Sequence, residues 1–152
     1  MKLTNAFDIS SSALTAQRLR MDVIASNIAN ADTTRGRYVD GRWVPYQRKV
    51  VTFEAIQPSF SDVLNSKLNR TSASNAGGGV RVSRISEDPT PFKEVYNPSH
   101  PDADENGYVR LPNVDIVKEM VDMLSATRSY EANVTALNAT KAMITKALEI
   151  GK

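Results

Sequence analysis

The stretch Val114–Ile150, VDIVKEMVDMLSATRSYEANVTALNATKAMITKALEI, places Ile116, Met120, Met123, Thr127, Tyr130, Val134, Leu137, Lys141, Ile144 and Leu148 at steps alternating four and three residues. That spacing keeps side chains on one face of a helix, as in a coiled-coil seam, and eight of the ten are apolar. Neither Pro nor Gly interrupts the run, and at about 1.5 Å per residue it predicts a rod of about 55 Å. A helix of that length cannot bury its stripe against a small body of its own.

The front of the chain repeats the pattern in Leu3, Phe7, Ser10, Leu14, Gln17, Met21, Ile24 and Ile28, which predicts a second helix over residues 5–30. Asn5 with Asp8 three residues on is placed to cap its first turn. Ala6, Ala13, Ala16, Ala25 and Ala29 flank the stripe and allow another helix to approach closely. Two such ends can close on each other as a helical hairpin or pair with neighbouring molecules. Ordering two long helices costs much backbone entropy, and two narrow stripes bury little. The expectation is therefore that the ends are poorly ordered in an isolated chain and fold against neighbouring subunits.

The 152 residues are one domain by length, with 24% charged residues and a formal charge of +2, too slight for a nucleic-acid partner. The absence of cysteine excludes disulfides, thiolate nucleophiles and cysteine-ligated zinc, and a single histidine, His100, leaves little imidazole chemistry. No run of 18 apolar residues offers a helical membrane span. Met1 to Asp8 carries one lysine and no following apolar core, so a cleaved secretory signal is not expected.

Between the helices the composition shifts. Asp40-Gly41 marks a turn, Arg48 to Ile56 has the β-branched content of a strand, and Val80 to Ile85 alternates apolar with polar. Phe92 to Tyr96 and Tyr108 to Leu111 are shorter strand candidates. Residues 61–69 can form a short helix, and 71–79, small, polar and glycine-ended, read as a flexible linker. The fold class expected is α+β: long N- and C-terminal helices (1–33 and 112–152) forming a coiled-coil layer, with a small β-rich insert (34–111) between them.

Asp102-Ala103-Asp104-Glu105-Asn106-Gly107 matches the opening of a calcium loop. Asn113 stands where the bidentate glutamate belongs, and Pro98 and Pro101 block the entering helix, so a tight polar turn is the better reading. His100, between two prolines, reads as a turn residue rather than a metal ligand. Arg18, Arg20 and Arg128 lack interleaved aromatics and are expected in intersubunit ion pairs with Asp22, Asp122 or Glu131. Asn27, Asn30, Asn133 and Asn138 are solvated by default; an amide caught in a packed interface would fix its register.

Ser26-Asn27-Ile28-Ala29-Asn30-Ala31-Asp32-Thr33-Thr34 resembles the N-terminal signature of the bacterial flagellar rod and hook axial proteins. Glu119 to Met123 and Arg128 to Asn133 resemble the matching C-terminal block, and Asn97 to Val114 is similar to the proximal rod members of that family. Arg35-Gly36-Arg37-Tyr38 departs from the usual turn after the first signature. The resemblance implies a structural subunit without catalysis, cofactor or metal. It implies passage unfolded through the flagellar type III export apparatus, and polymerisation with its own copies and other rod proteins into a periplasmic tube that encloses the export channel and transmits torque. The residues expected at subunit interfaces are Leu3, Phe7, Leu14, Met21, Ile24, Asn27, Ile28 and Asn30 with Ile116, Met120, Met123, Tyr130, Asn133, Val134, Leu137, Ile144 and Leu148. The rival readings are a small calcium-binding or hydrolytic domain using His100, Asp102, Asp104 and Glu105, and a helical secretion chaperone.

Overall fold

The computed structural model describes residues 3–39, 41–57, 64 and 78–150. The expected helix over 61–69, apart from Leu64, and most of the expected linker over 71–79 lie outside them. Helix α1 (Leu3–Ala29) leads into strands β1 (Arg37–Val39), β2 (Arg42–Val44), β3 (Lys49–Ala55), β4 (Val80–Glu87), β5 (Lys93–Tyr96) and β6 (Tyr108–Leu111), and helix α2 (Ile116–Ile150) closes the chain. The α+β class with helices flanking a β-rich insert is what the structure shows.

α1 starts two residues before the expected Asn5, so Asn5 lies within the helix and not at its cap. At its other end Asn30 closes the helix, its Nδ2 donating to the Ser26 carbonyl at 2.9 Å and its carbonyl accepting from the Thr33 amide at 3.2 Å. α2 is started by Asp115, whose Oδ1 accepts the Val117 amide at 3.1 Å. The contacts Asn27 to Glu119 and Met21 to Thr127 run in opposite senses along the two helices, which therefore pair antiparallel.

The helical hairpin that the two stripes equally allow is thus present within one chain. α1 also packs on β3 and β4 and so buries a second flank the stripes did not include. Arg20 meets Asp122 at 3.5 Å and Arg128 meets Glu131 at 3.2 Å, so these expected intersubunit pairs form inside the chain.

Among the described residues the strands form antiparallel pairs: β1 with β2, β3 with β4, and β5 with β6. The turn signal Asp40-Gly41 sits between β1 and β2, with Val39 opposite Arg42 and Gly41 at φ +81°. β1 and β2 were not read from the sequence as strands, being only three residues each. β3 and β4 pair from Lys49–Glu87 to Ala55–Val80, with a bulge after Thr52 that lets the pair bend over α1.

Gly36 holds the start of β1 against the turn into β3: its amide donates to the Val44 carbonyl at 3.0 Å, and a Cβ there would stand 2.7 Å from the Tyr46 amide nitrogen. That neighbour is backbone and cannot swing aside. Gly36→Ala is expected to lower the unfolding free energy by about 1–3 kcal/mol in chemical denaturation. Gly41→Asn, where the left-handed conformation suits Asn and no atom lies within 4 Å of the added Cβ, is expected to change it by less than about 1 kcal/mol.

Candidate functional site

Arg48, just before β3, is the residue on which the two helices and the insert converge. Its Nε donates to Glu119 Oε1 at 2.6 Å, its Nη1 to Asp88 Oδ2 at 3.1 Å, and its Nη2 lies 3.5 Å from Asp122 Oδ2. Glu119, in the first turn of α2, is 0% exposed, and that end of the helix favours a carboxylate. Its other oxygen, Oε2, accepts from Asn27 Nδ2 at 3.0 Å.

Asn27, 1% exposed near the end of α1, fills its whole bonding capacity. Nδ2 also donates to the Lys49 carbonyl at 2.9 Å, while Oδ1 accepts from the Lys49 amide and the Tyr46 hydroxyl, each at 3.0 Å. The side-chain amide thus pairs with β3 backbone as a neighbouring strand would. Asn113 adds a second clamp, accepting from the Arg48 amide at 2.8 Å and donating to the carbonyls of Asp88 and Thr90.

Burial works against the charged Arg48 guanidinium, but hydrogen bonds to Glu119 and Asp88 outweigh it and hold the group above its ordinary range. Hydrogen bonds from the hydroxyl and the amide of Thr90, reinforced by Arg48, hold Asp88 below the usual carboxylate range.

A smaller lock joins the loop between β5 and β6 to the end of α1. Asp102 accepts from Arg35 Nε at 2.7 Å and from Thr34 Oγ1 at 2.9 Å, and those bonds, Arg35 first, hold its carboxyl below the usual range. The first carboxylate of the calcium-like motif is therefore committed within the chain. His100 Nδ1 accepts the Asp102 amide at 3.1 Å, which makes it a hydrogen-bonded turn residue. Among the described residues no three His, Asp or Glu are grouped to hold a metal, and no helix is long and apolar enough to cross a membrane.

The expected interface residues scatter over three environments. Ile24 and Asn27 are buried inside the subunit. Phe7, Leu14, Met21, Ile28 and Asn30, with Met123, Tyr130, Asn133, Val134, Leu137 and Ile144, are half-buried. Ile116, Met120 and Leu148 are exposed, and Leu3 opens α1. Asn30 and Asn133 bond to the carbonyls of Ser26 and Ser129 on their own helices. Arg48, Asp88, Asn113 and Glu119 were missed as site residues. The available signal was Glu119 itself, a carboxylate one position off an apolar stripe.

Large apolar side chains lie on the opposite face of α2. Val117 is 72% and Leu124 64% exposed, with Ile116, Met120 and Val121 exposed beside them. At about 3.6 residues per turn, Val117, Val121 and Leu124 form one line roughly opposite buried Glu119 and Ala126.

Two family models match the chain: one described as flagella basal body rod protein over residues 7–36, the other as flagellar basal body rod FlgEFG protein C-terminal over residues 105–150. The flagellar basal-body rod protein FlgC of Bacillus subtilis is 58% identical over 152 residues, covering 100% of both chains. Those of Yersinia enterocolitica and Salmonella typhimurium are 46% and 45% identical, again over 100% of both chains.

Glu119→Ala, which strands Arg48 and Asn27, is expected to cost about 3–5 kcal/mol in chemical denaturation. Asp88 and Asp102 have lowered folded values, so their stabilisation is fully present above the unfolded carboxylate pKa of about 3.9 and is lost as pH falls through the lower folded values. Thermal melts are expected to show Tm falling below about pH 4, and falling less steeply in Asp88→Asn.

Proposed function

The chain belongs to the FlgC family of flagellar basal-body rod proteins, and from that premise we propose how its surfaces build the rod. It is a structural subunit of the flagellar basal body. The α1–α2 pair, residues 1–33 and 112–152, forms the inner layer of a helical tube, and residues 34–111 form the outer insert. The tube encloses the export channel and transmits torque, the subunit reaches it through the flagellar export apparatus, and its partners are its own copies and other rod proteins. It has no catalytic role and takes no cofactor.

The observation that carries this reading is the exposed line Val117, Val121 and Leu124, with Ile116 and Met120 beside it. A monomer has no use for such a row of large apolar groups, and burying them supplies association free energy. The face lies opposite the α1 seam, so a neighbour covering it meets a different surface from the one α1 covers. A neighbour that meets this face with a different patch of its own makes a heterologous contact, which propagates instead of closing as a two-fold dimer. Ile116, Met120 and Leu148 are the expected interface residues that fit this role directly; Ile24 and Asn27 act from inside, by fixing how α1 presents α2.

Leu124→Asp places a charge on that face without touching the seam. The purified variant is expected to keep the circular dichroism spectrum of the parent, and cells carrying it as their only copy are expected not to swim, since desolvating an unpaired charge costs several kcal/mol. Leu124→Met is expected to swim normally. Normal swimming of Leu124→Asp would remove the basis of the proposal.

A further inference from the structure

Two short hairpins expose aromatic pairs that the rod contacts above do not use. Across β1 and β2, Tyr38 stands opposite Trp43 with ring centroids 5.1 Å apart, edge to face. Trp43, the only tryptophan in the chain, is 53% exposed. Across β5 and β6, Tyr96 stands opposite Tyr108 at 5.4 Å, again edge to face, and Tyr96 is 63% exposed. Each pair sits on a two-stranded sheet with no third strand among the described residues, and such a hairpin is marginal until something packs on it.

The surroundings differ in sign. The first hairpin carries Arg37 and, at its tip, exposed Arg42, with Arg35 at its root; against these three cations its sequence holds one carboxylate, Asp40, and Arg37 meets Glu87 at 3.4 Å and Arg35 meets Asp102. Beyond the second, the loop between β5 and β6 carries exposed Asp104 and Glu105, while Glu94 and Arg110 pair across the strands at 3.4 Å. Within one chain Arg35 and Asp102 tie the root of one hairpin to the loop of the other, yet both aromatic pairs stay exposed.

We propose that the Tyr38–Trp43 hairpin of one copy packs against the Tyr96–Tyr108 hairpin of a second copy of this chain, with Arg42 facing Asp104 and Glu105. Like meeting like would set Arg42 against Arg42, or acidic loop against acidic loop; the basic hairpin on the acidic one satisfies the charges and buries both aromatic faces. Because the two surfaces are different, the contact is heterologous and repeats from copy to copy instead of closing as a two-fold dimer. It rests on the rod-subunit reading and names the partner of a surface that reading leaves uncovered.

The chain has no cysteine, so single-cysteine variants report cleanly. Arg42→Cys and Glu105→Cys are expressed together in cells building flagella, oxidised mildly, and basal bodies are isolated. A cross-linked species of twice the chain mass, containing this chain alone and formed only when both variants are present, is expected. No cross-link, a cross-link to a different protein, or a dimer from either variant by itself overturns the proposal. As an independent arm, Arg42→Glu is expected to abolish swimming and Arg42→Glu with Glu105→Arg in the same chain to restore it. Normal swimming of Arg42→Glu, or no recovery in the double variant, counts against the contact. Loss of swimming in Leu124→Asp alongside a negative result here would sink only the hairpin contact and leave the rod reading standing.

Discussion

Glu119 is a fully buried carboxyl group, and the subunit is organised to make that tolerable. Its two oxygens accept from Arg48 and Asn27, which come from the insert and from the other helix. Removing Arg48 strips the buried carboxylate of its counter-charge, a larger penalty than any single apolar contact supplies, and removing Asn27 leaves one of its oxygens unpaired. The residues concerned lie 71 and 92 positions away along the chain, so this one carboxylate ties both termini to the middle. Asn27 extends the tie by bonding both backbone groups of Lys49, which fixes where β3 lies along α1.

The long helices, the strands from β3 onward and the place of the first turn were legible because each depends on local pattern. What the pattern passed over was the polar part of the covered face of α2. The buried and half-buried positions include Met123, Thr127, Tyr130, Val134, Leu137 and Ile144 of the expected stripe and add Glu119, Ala126, Asn133 and Thr140, each immediately before a stripe position. Those four are a charged, a small and two polar residues, so a search for apolar periodicity does not select them. The knot around Arg48 was illegible for another reason: hydrogen bonding between residues so far apart leaves no periodic trace, and Asn113 showed itself only as the wrong ligand for calcium.

The division of side chains follows from this. Inside the subunit, the buried Asn27–Glu119 pair and small buried Ala16 and Ala126 sit among half-buried Met21, Ile28, Met123 and Leu137 of the two helices. Outside it, α2 shows Val117, Val121, Leu124, Met143 and Leu148 to solvent. Here polar specificity is kept within the molecule and much of the apolar area is left for contact with others, consistent with membership of a family whose proteins are rod subunits.

That arrangement also answers a problem any tube of identical helical hairpins must solve. Apolar seams with a four-three repeat are degenerate: sliding one helix by about seven residues restores similar packing, and a subunit free to choose would present its outer stripe at several heights. The Asn27–Glu119 contact removes the choice, because every shifted register separates the two and leaves a buried amide and a buried carboxylate unsatisfied. With the register fixed, Val117, Val121 and Leu124 stand at one height and one azimuth relative to the insert in every copy. The internal lock therefore precedes assembly logically: equivalent contacts can repeat from subunit to subunit only if each subunit offers the same surface.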